Sequence, residues 1–489
     1  VTPDRPAGPD VIIMGAGVSG IAMAAALRRA GFDSILVLEQ SQGVGGTWWD
    51  NRYPGAQCDV PSHLYSFSFA PNPDWSRVFA PAGEIQSYVE RCVNQRDLAR
   101  HMRLGVRVTD ARWNEADGRW TVTTDRGDSY RPRIFVVSLG PLSHPRYPPG
   151  IEAFGGVVMH TSRWNPDYDF AGRSVAVIGS AASAIQVIPK LAEVAARLTV
   201  YQRTPSWIVA RPDRPYRRIE RGLFRMRAWA RLYRWWLYWQ FEARIVGFRG
   251  RGFVHATMKR MALRHLEEQV SSPALRERLR PSYPIGCKRI LLSNEYYPAL
   301  SRANVELVPS SASAFTATGI VAADGVSTQV DAIVCATGFD TMDPLAAVRI
   351  EGRDGKTLAS AWSDGPEAYR GVAVPGFPNL FLMVGPNTGT GHTSLLIPIE
   401  AQARYVVDCV RELDRRGAGS LEVRADATRA YNETIQARLR DTVWASPACR
   451  SWYKTSSGRV VAIYPGAITR YALGLRRPRF DDYDFTPIS

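Results

Sequence analysis

The chain has 489 residues, 45% of them hydrophobic and 22% charged, with a formal net charge of +15. That length supports two or three domain-sized cores, and the composition is that of a globular protein rather than a disordered or fibrous one. The positive charge is almost all arginine, a bias of a kind that often reflects codon composition, and with no nucleic-acid-binding motif beside it no nucleic-acid partner is expected.

The opening Val1-Thr-Pro-Asp-Arg5 lacks the apolar core of a secretory signal. No uninterrupted apolar run nears the ~20 residues that cross a bilayer, so no transmembrane segment is expected. Cys58, Cys92, Cys287, Cys335, Cys409 and Cys449 are scattered without C-x-x-C spacing. That argues against zinc and against a disulfide framework, and for a reducing, cytoplasmic setting.

The first predicted unit is β-α-β. Val11–Met14 enters Gly15-Ala-Gly17-Val-Ser19-Gly20, a helical stretch covers 21–30, and a second apolar run, 35–38, ends in Glu39. Gly15 permits the tight turn, Gly17 lets backbone approach a pyrophosphate, and Gly20 lets helix and strand pack closely. Glu39 stands where an acid accepts hydrogen bonds from a ribose diol. Gly43-Val-Gly-Gly46-Thr47-Trp48 and Arg52-Tyr-Pro-Gly55 follow, then Cys58-Asp59. Further strands are expected at 106–108, 120–124 and 134–138, with a hairpin around Asp117-Gly118.

Proline-rich 141–149 reads as a crossing between domains. Beyond it stands Phe154-Gly-Gly156-Val-Val-Met-His160-Thr-Ser-Arg-Trp164. His160 has no second ligand set at metal spacing, so no metal site is expected. A second unit starts with strand 174–178, Gly179-Ser180-Ala-Ala-Ser183-Ala184 and a helix. Ala181 replaces the second glycine, and its methyl crowds a pyrophosphate. The partner strand 198–202 ends in Gln202-Arg203-Thr204-Pro205 with no acid. A carboxylate there would repel a 2′-phosphate and Arg203 would pair with it, which favours NADPH over NADH.

Residues 213–283 break the pattern as arginine- and tryptophan-rich helices inserted in the second unit. Leu223, Met226, Ala230, Tyr233 and Leu237 fall at helical spacing. The segment could pack on its own domain, line a pocket for a bulky apolar or aromatic substrate, or lie on an acidic membrane surface. Gly286-Cys287-Lys288-Arg289 and Asn294-Glu-Tyr-Tyr297 follow. Next come strand 332–336 with Thr337-Gly338-Phe339-Asp340, strand 380–384, Gly385-Pro386-Asn387, a long helix over 399–415 and Ser451-Trp452-Tyr453. The expected class is α/β, with two Rossmann-like dinucleotide-binding domains and a helical insert. The expected segments are 1–142, 143–335 with the insert at about 213–283, and 336–489 returning to the first domain with a tail.

These strings together resemble the class B flavoprotein monooxygenases, and within them the Baeyer–Villiger monooxygenases. The resemblance spans nearly the whole chain, strongest at 10–70, 154–210, 284–300 and 332–400 and weakest across the insert. It implies FAD on the first unit, held by Gly15, Gly17, Ser19, Gly20, Glu39, Gly46, Thr47, Trp48, Asp50, Asp59, Tyr65, Val108 and Leu395. It implies NADPH on Gly179, Ser180, Ser183, Arg203, Thr204 and Lys288, with Trp452 closing over it. Phe154, Gly156, His160 and Trp164 become domain-linking residues, His160 structural rather than acid–base. Arg289, oriented by Asp59, becomes the catalytic cation beside the flavin. The implied reaction inserts one atom of O2 beside a ketone carbonyl through a C4a-peroxyflavin, giving an ester or lactone. Oxygenation of a nucleophilic nitrogen or sulfur stays open on the same scaffold. A flavin reductase or oxidase and a nucleotide sensor are the readings from other classes.

Overall fold

The computed structural model describes residues 8–341 and 348–487; the opening Val1–Arg5 stretch lies outside them. Two five-stranded parallel sheets organise the molecule. The first runs Leu380–Leu382, Ile134–Val137, Val11–Met14, Ile35–Glu39, Met102–Leu104. The second runs Val305–Val308, Arg197–Tyr201, Ser174–Ile178, Ala332–Cys335, Val157–His160. The central strands are apolar without alternation, and every residue of Val11–Met14 and Ala332–Cys335 is buried. That is the signature of parallel strands covered on both faces.

Each sheet leads through a glycine turn into a helix. Gly15 and Gly179 sit at φ +103° and +124°, where a side chain is strained. A Cβ on Gly20 would lie 1.9 Å from the Gly15 carbonyl oxygen. The Val18–Arg29 helix can therefore lie against its strand only with glycine there. The long helix Leu396–Arg416 covers it from outside.

The hairpin expected around Asp117-Gly118 forms from Val108–Asn114 and Arg119–Thr124, with Trp113 opposite Trp120. Its first strand lies further along than 106–108. Arg349–Glu351 adds to it in parallel.

The Phe154–Trp164 string is an edge strand. Val157–His160 pairs with Ala332–Cys335, placing His160 opposite Cys335. Phe154 is buried beneath it, and a Cβ on Gly156 would meet the Phe154 ring at 2.6 Å. Trp164 stacks on Phe170.

The insert is helical, at Arg218–Phe224, Arg227–Ala243, Phe253–Gln269 and Pro273–Leu279. Phe224, Leu237 and Phe241 share a core with Val11, Ile13 and the long helix. Tyr238 hydrogen-bonds Thr469 at 2.5 Å, and Glu242 meets His392 at 3.1 Å and the Thr469 amide at 2.7 Å. Burial pushes the Glu242 carboxyl up, but the hydrogen bonds from His392 and Thr469 outweigh it and hold the group low. Of the five residues at helical spacing, Leu237 is buried and Leu223, Ala230 and Tyr233 half-buried, while Met226 is exposed.

One expectation fails. Cys287 and Cys449 form a disulfide across 162 residues, with Cα atoms 5.4 Å apart. The absence of local spacing says nothing about cysteines that the fold brings together from distant segments. The other four cysteines are free and buried.

Candidate active site

The first glycine turn meets the Gly43–Trp48 loop backbone to backbone. Gly17 bridges Gly45, and a Cβ on Gly46 would lie 3.0 Å from the Gly17 Cα. The Val18–Arg29 helix starts at Gly17 with no capping side chain and no acid in its first turn. Its first N–H groups and positive dipole end are thereby offered to an anion. Ser19 lies buried in that turn.

Glu39 ends the neighbouring strand and accepts from the Ala16 amide at 2.7 Å and the Ser41 amide at 2.8 Å. Burial pushes its carboxyl up, partly offset by those amides. Thr47 opens the short Thr47–Asp50 helix. Trp48 Nε1 donates to the Tyr65 hydroxyl at 3.0 Å, the rings edge to face. Val108 is buried, leaving its backbone as the part that can face a ligand. Leu395 is the N-cap of the long helix. Beside Ser41 and Asp50 opens a cleft of about 570 Å³, bounded by Ser162, Arg163 and Trp164 of the edge-strand string. These residues fit a dinucleotide: a glycine cradle without side chains, free helix amides and an acid at the end of the neighbouring strand.

The second turn is built the same way with a different charge. Ser180 Oγ donates to the Thr204 carbonyl and Ser206 Oγ to the Ser180 carbonyl, each at 2.9 Å. The 184–194 helix begins after Ser183 without a side-chain cap. Ala181 is exposed at the mouth of the turn. Lys288 sits over the Tyr283 ring at 4.7 Å, and its ammonium is pulled down by burial and then by Arg203. Two cations thus converge where the strand ends without an acid, an arrangement suited to a 2′-phosphate. Trp452 is half exposed against Tyr453.

Between the sheets, Arg289 Nη2 meets Asp59 Oδ1 at 2.5 Å. The Asp59 carboxylate is the chief reason that the guanidinium is held above its ordinary pKa. The Arg289 side chain is half exposed while Asp59 is mostly covered. A rigid charge is therefore presented to an opening on a buried anchor. Cys58 beside it is pushed up to about 12 by burial and by Asp59, so its thiol stays protonated and inert.

The edge-strand string ties the two sheets together. His160 is fully buried, with Nδ1 on Ser162 Oγ at 2.9 Å and Nε2 on the Gly338 carbonyl at 3.0 Å. Burial pulls its pKa down to about 4, so the ring is neutral near pH 7. Arg163 reaches Asp50 at 3.3 Å.

Two participants, Arg211 and Gln186, had no signal in the linear motifs. Arg211 donates to the Cys58 carbonyl, and its charge also bears on Asp59. Asn294 Nδ2 donates to the Arg211 carbonyl at 2.8 Å, which gives the Asn294-Glu-Tyr-Tyr297 string a positioning contact. Gln186 accepts from Tyr53 at 2.8 Å and donates to the Gln57 carbonyl at 2.9 Å, a second stitch between the sheets. Tyr53 lies inside the Arg52-Tyr-Pro-Gly55 string and could have been singled out; Gln186 is an ordinary helix residue.

The family profile of pyridine nucleotide-disulphide oxidoreductases matches residues 12–220. The chain is 44% identical over 465 residues to a Baeyer–Villiger monooxygenase of Pseudomonas aeruginosa, covering 94% of this chain and 88% of that one. It is 42% identical over 477 residues to a Baeyer–Villiger monooxygenase of Streptomyces coelicolor, covering 97% and 92%. Among solved structures, an oxidised steroid monooxygenase bound to NADP superposes with TM-score 0.87 at 31% identity, over 98% and 99% of the two chains. OTEMO in complex with FAD and NADP superposes with TM-score 0.88 at 28% identity, over 99% and 100%. The glycine cradles, the cation pair and the Arg289–Asp59 contact stand in a chain that belongs to the Baeyer–Villiger monooxygenases, within the class B flavin-dependent monooxygenases.

Proposed function

We propose that this protein uses FAD and NADPH to insert one atom of O2 beside the carbonyl of a bulky apolar ketone, giving an ester or lactone, while the second atom leaves as water. The observation that carries the reading is Arg289 fixed by Asp59 at 2.5 Å. Oxygen insertion beside a carbonyl passes through anionic oxygen, and a preorganised guanidinium stabilises that charge without reorganising. Asp59 holds the guanidinium in place and keeps it charged. Bound FAD, reduced by NADPH, supplies the activated dioxygen.

The first glycine turn and Glu39 bind the flavin nucleotide; Arg203 and Lys288 select NADPH by its 2′-phosphate. His160, neutral and hydrogen-bonded at both ring nitrogens, transmits movement between the sheets instead of exchanging protons with substrate. Trp452 closes over the nicotinamide nucleotide. The domains follow the same logic, 1–142 and 336–489 holding FAD and 143–335 holding NADPH. A bulky apolar ketone fits the similarity to a steroid monooxygenase and a cyclohexanone monooxygenase.

The test is turnover with NADPH under isotopically labelled O2, offering cyclic and steroid ketones beside tertiary amines and sulfides. An ester or lactone carrying one labelled atom is expected. Label appearing only in N-oxide or sulfoxide would replace ketone insertion by heteroatom oxygenation. Hydrogen peroxide as the sole product would make the protein an oxidase.

A further inference from the structure

The Arg227–Ala243 helix is apolar on two opposite faces. Its inner face carries Leu237 and Phe241 into the core, and Arg234 donates to the carbonyls of His63 and Ser66 at 2.8 and 2.7 Å. Its outer face carries Trp229, Leu232, Trp235, Trp236 and Trp239, each between 41% and 60% exposed. Their spacing places all five on one side of the helix, away from the core. A surface helix ordinarily turns polar residues outward. Rolling this one to hide the tryptophans would expose Leu237 and Phe241 and break the bonds of Arg234 and Glu242, so the outward aromatic face is fixed by the fold.

Apolar exposure continues on the next elements. Phe253, which opens the following helix, is 81% exposed, and Met261 on the same helix is exposed too. The charge around these residues is predominantly positive. From Asp213 to Arg264 the sequence holds fourteen Lys and Arg against three Asp and Glu. Arg218, Arg221, Arg227 and Arg231 are exposed and enter no ion pair among the described residues. No helix of the described residues is long and apolar enough to cross a membrane.

We propose that this face docks the protein on an anionic lipid bilayer, the indole rings seated at headgroup level and the flanking guanidiniums on lipid phosphates. Tryptophan favours that interface because its ring is apolar and its N–H is wet. Arginine supplies the electrostatic half of the attraction. A second copy of the chain is the poorer occupant, because two-fold pairing sets the same basic face against itself.

The experiment is flotation of the FAD-loaded protein with vesicles of phosphatidylcholine alone and of phosphatidylcholine with about a third phosphatidylglycerol. Binding is expected to the anionic vesicles, weakening as salt rises, with little to the neutral ones. Trp235→Gln with Trp239→Gln should weaken it by roughly tenfold or more. Arg227→Gln with Arg231→Gln should weaken it by roughly fivefold per arginine. Retained flavin absorbance and thermal midpoint in these variants separate lost docking from misfolding. Absence of flotation with anionic vesicles at low salt overturns the proposal, as does binding indifferent to the tryptophan pair. A dimer in solution that the tryptophan substitutions dissociate would assign the face to a second copy instead.

Discussion

Replacing Arg289 by alanine removes the guanidinium and leaves Asp59 in place. The contact is 2.5 Å, but the arginine side chain is half exposed, so solvent screens it. Unit charges about 4 Å apart at an effective dielectric near 20 interact by about 4 kcal/mol, and screening at this exposure leaves about 1 kcal/mol for ground-state stability. Arg289→Ala should therefore fold and bind flavin. Its effect on the reaction is larger, since loss of one preorganised donor to a developing anion costs about 3 kcal/mol, or roughly 100- to 1,000-fold. Asp59→Asn keeps the shape but frees the guanidinium, while Arg211 keeps Asp213 as its larger counter-charge; roughly a tenfold loss is expected from that weakened preorganisation. The assay splits the cycle. Anaerobic stopped-flow measures flavin reduction by NADPH, and product and hydrogen peroxide are quantified in air. Arg289→Ala should reduce flavin at close to the parent rate while NADPH consumption drains into peroxide. Ester formation within tenfold of the parent would refute the role of Arg289. Equal loss of flavin reduction and ester formation would move that role to nicotinamide binding.

Arg203→Ala and Lys288→Ala should raise KM for NADPH by roughly ten- to hundredfold each and leave KM for NADH nearly unchanged, because each removes a charge-assisted contact to a group NADH lacks; steady-state kinetics with both nucleotides checks it. His160 and His63 are both pulled down to about 4 by burial. The unfolded chain binds those protons first, near pH 6.5, so stability present above that pH is lost as pH falls towards 4, by up to about 3 kcal/mol per ring. Urea unfolding across that window should show the slope, and His160→Gln should roughly halve it, His63 keeping the rest. Removing the Cys287–Cys449 bond should destabilise the fold by up to about 5 kcal/mol on the loop-entropy account. A thermal midpoint unchanged by dithiothreitol or by Cys449→Ser would refute the bond.

Where chemistry is local, the sequence was readable. Gly15, Gly17 and Gly20 must be neighbours to make their turn, and the absence of an acid after Gln202 is visible in a few letters. The strands around them, 11–14, 35–39, 174–178 and 332–335, are short apolar runs that have only one use in this setting. What depends on long-range docking was not readable. The tryptophans of the insert left packing, pocket lining and a membrane surface all open, because aromatic residues serve a core and an interface equally well; only the inward bonds of Arg234 and Glu242 decide which face turns out. Arg211 and Gln186 bear on the site through backbone carbonyls, which impose no pattern on the sequence. Cys287 and Cys449 meet because the 286–289 loop and the tail converge, and no spacing rule spans 162 residues.

The order of strands carries a consequence for synthesis. The second sheet takes all five strands from one continuous stretch, Val157 to Val308 and on to Cys335. The first sheet holds four strands by residue 137, but its fifth, Leu380–Leu382, pairs with Phe135–Val137 only after the whole second sheet has been made. On a ribosome that interval of roughly 240 residues lasts some tens of seconds at ~10 residues per second. During it, the apolar edge of Ile134–Val137 waits unpaired. The nascent first sheet should be the vulnerable species in overexpression, and fragments ending before residue 380 should aggregate.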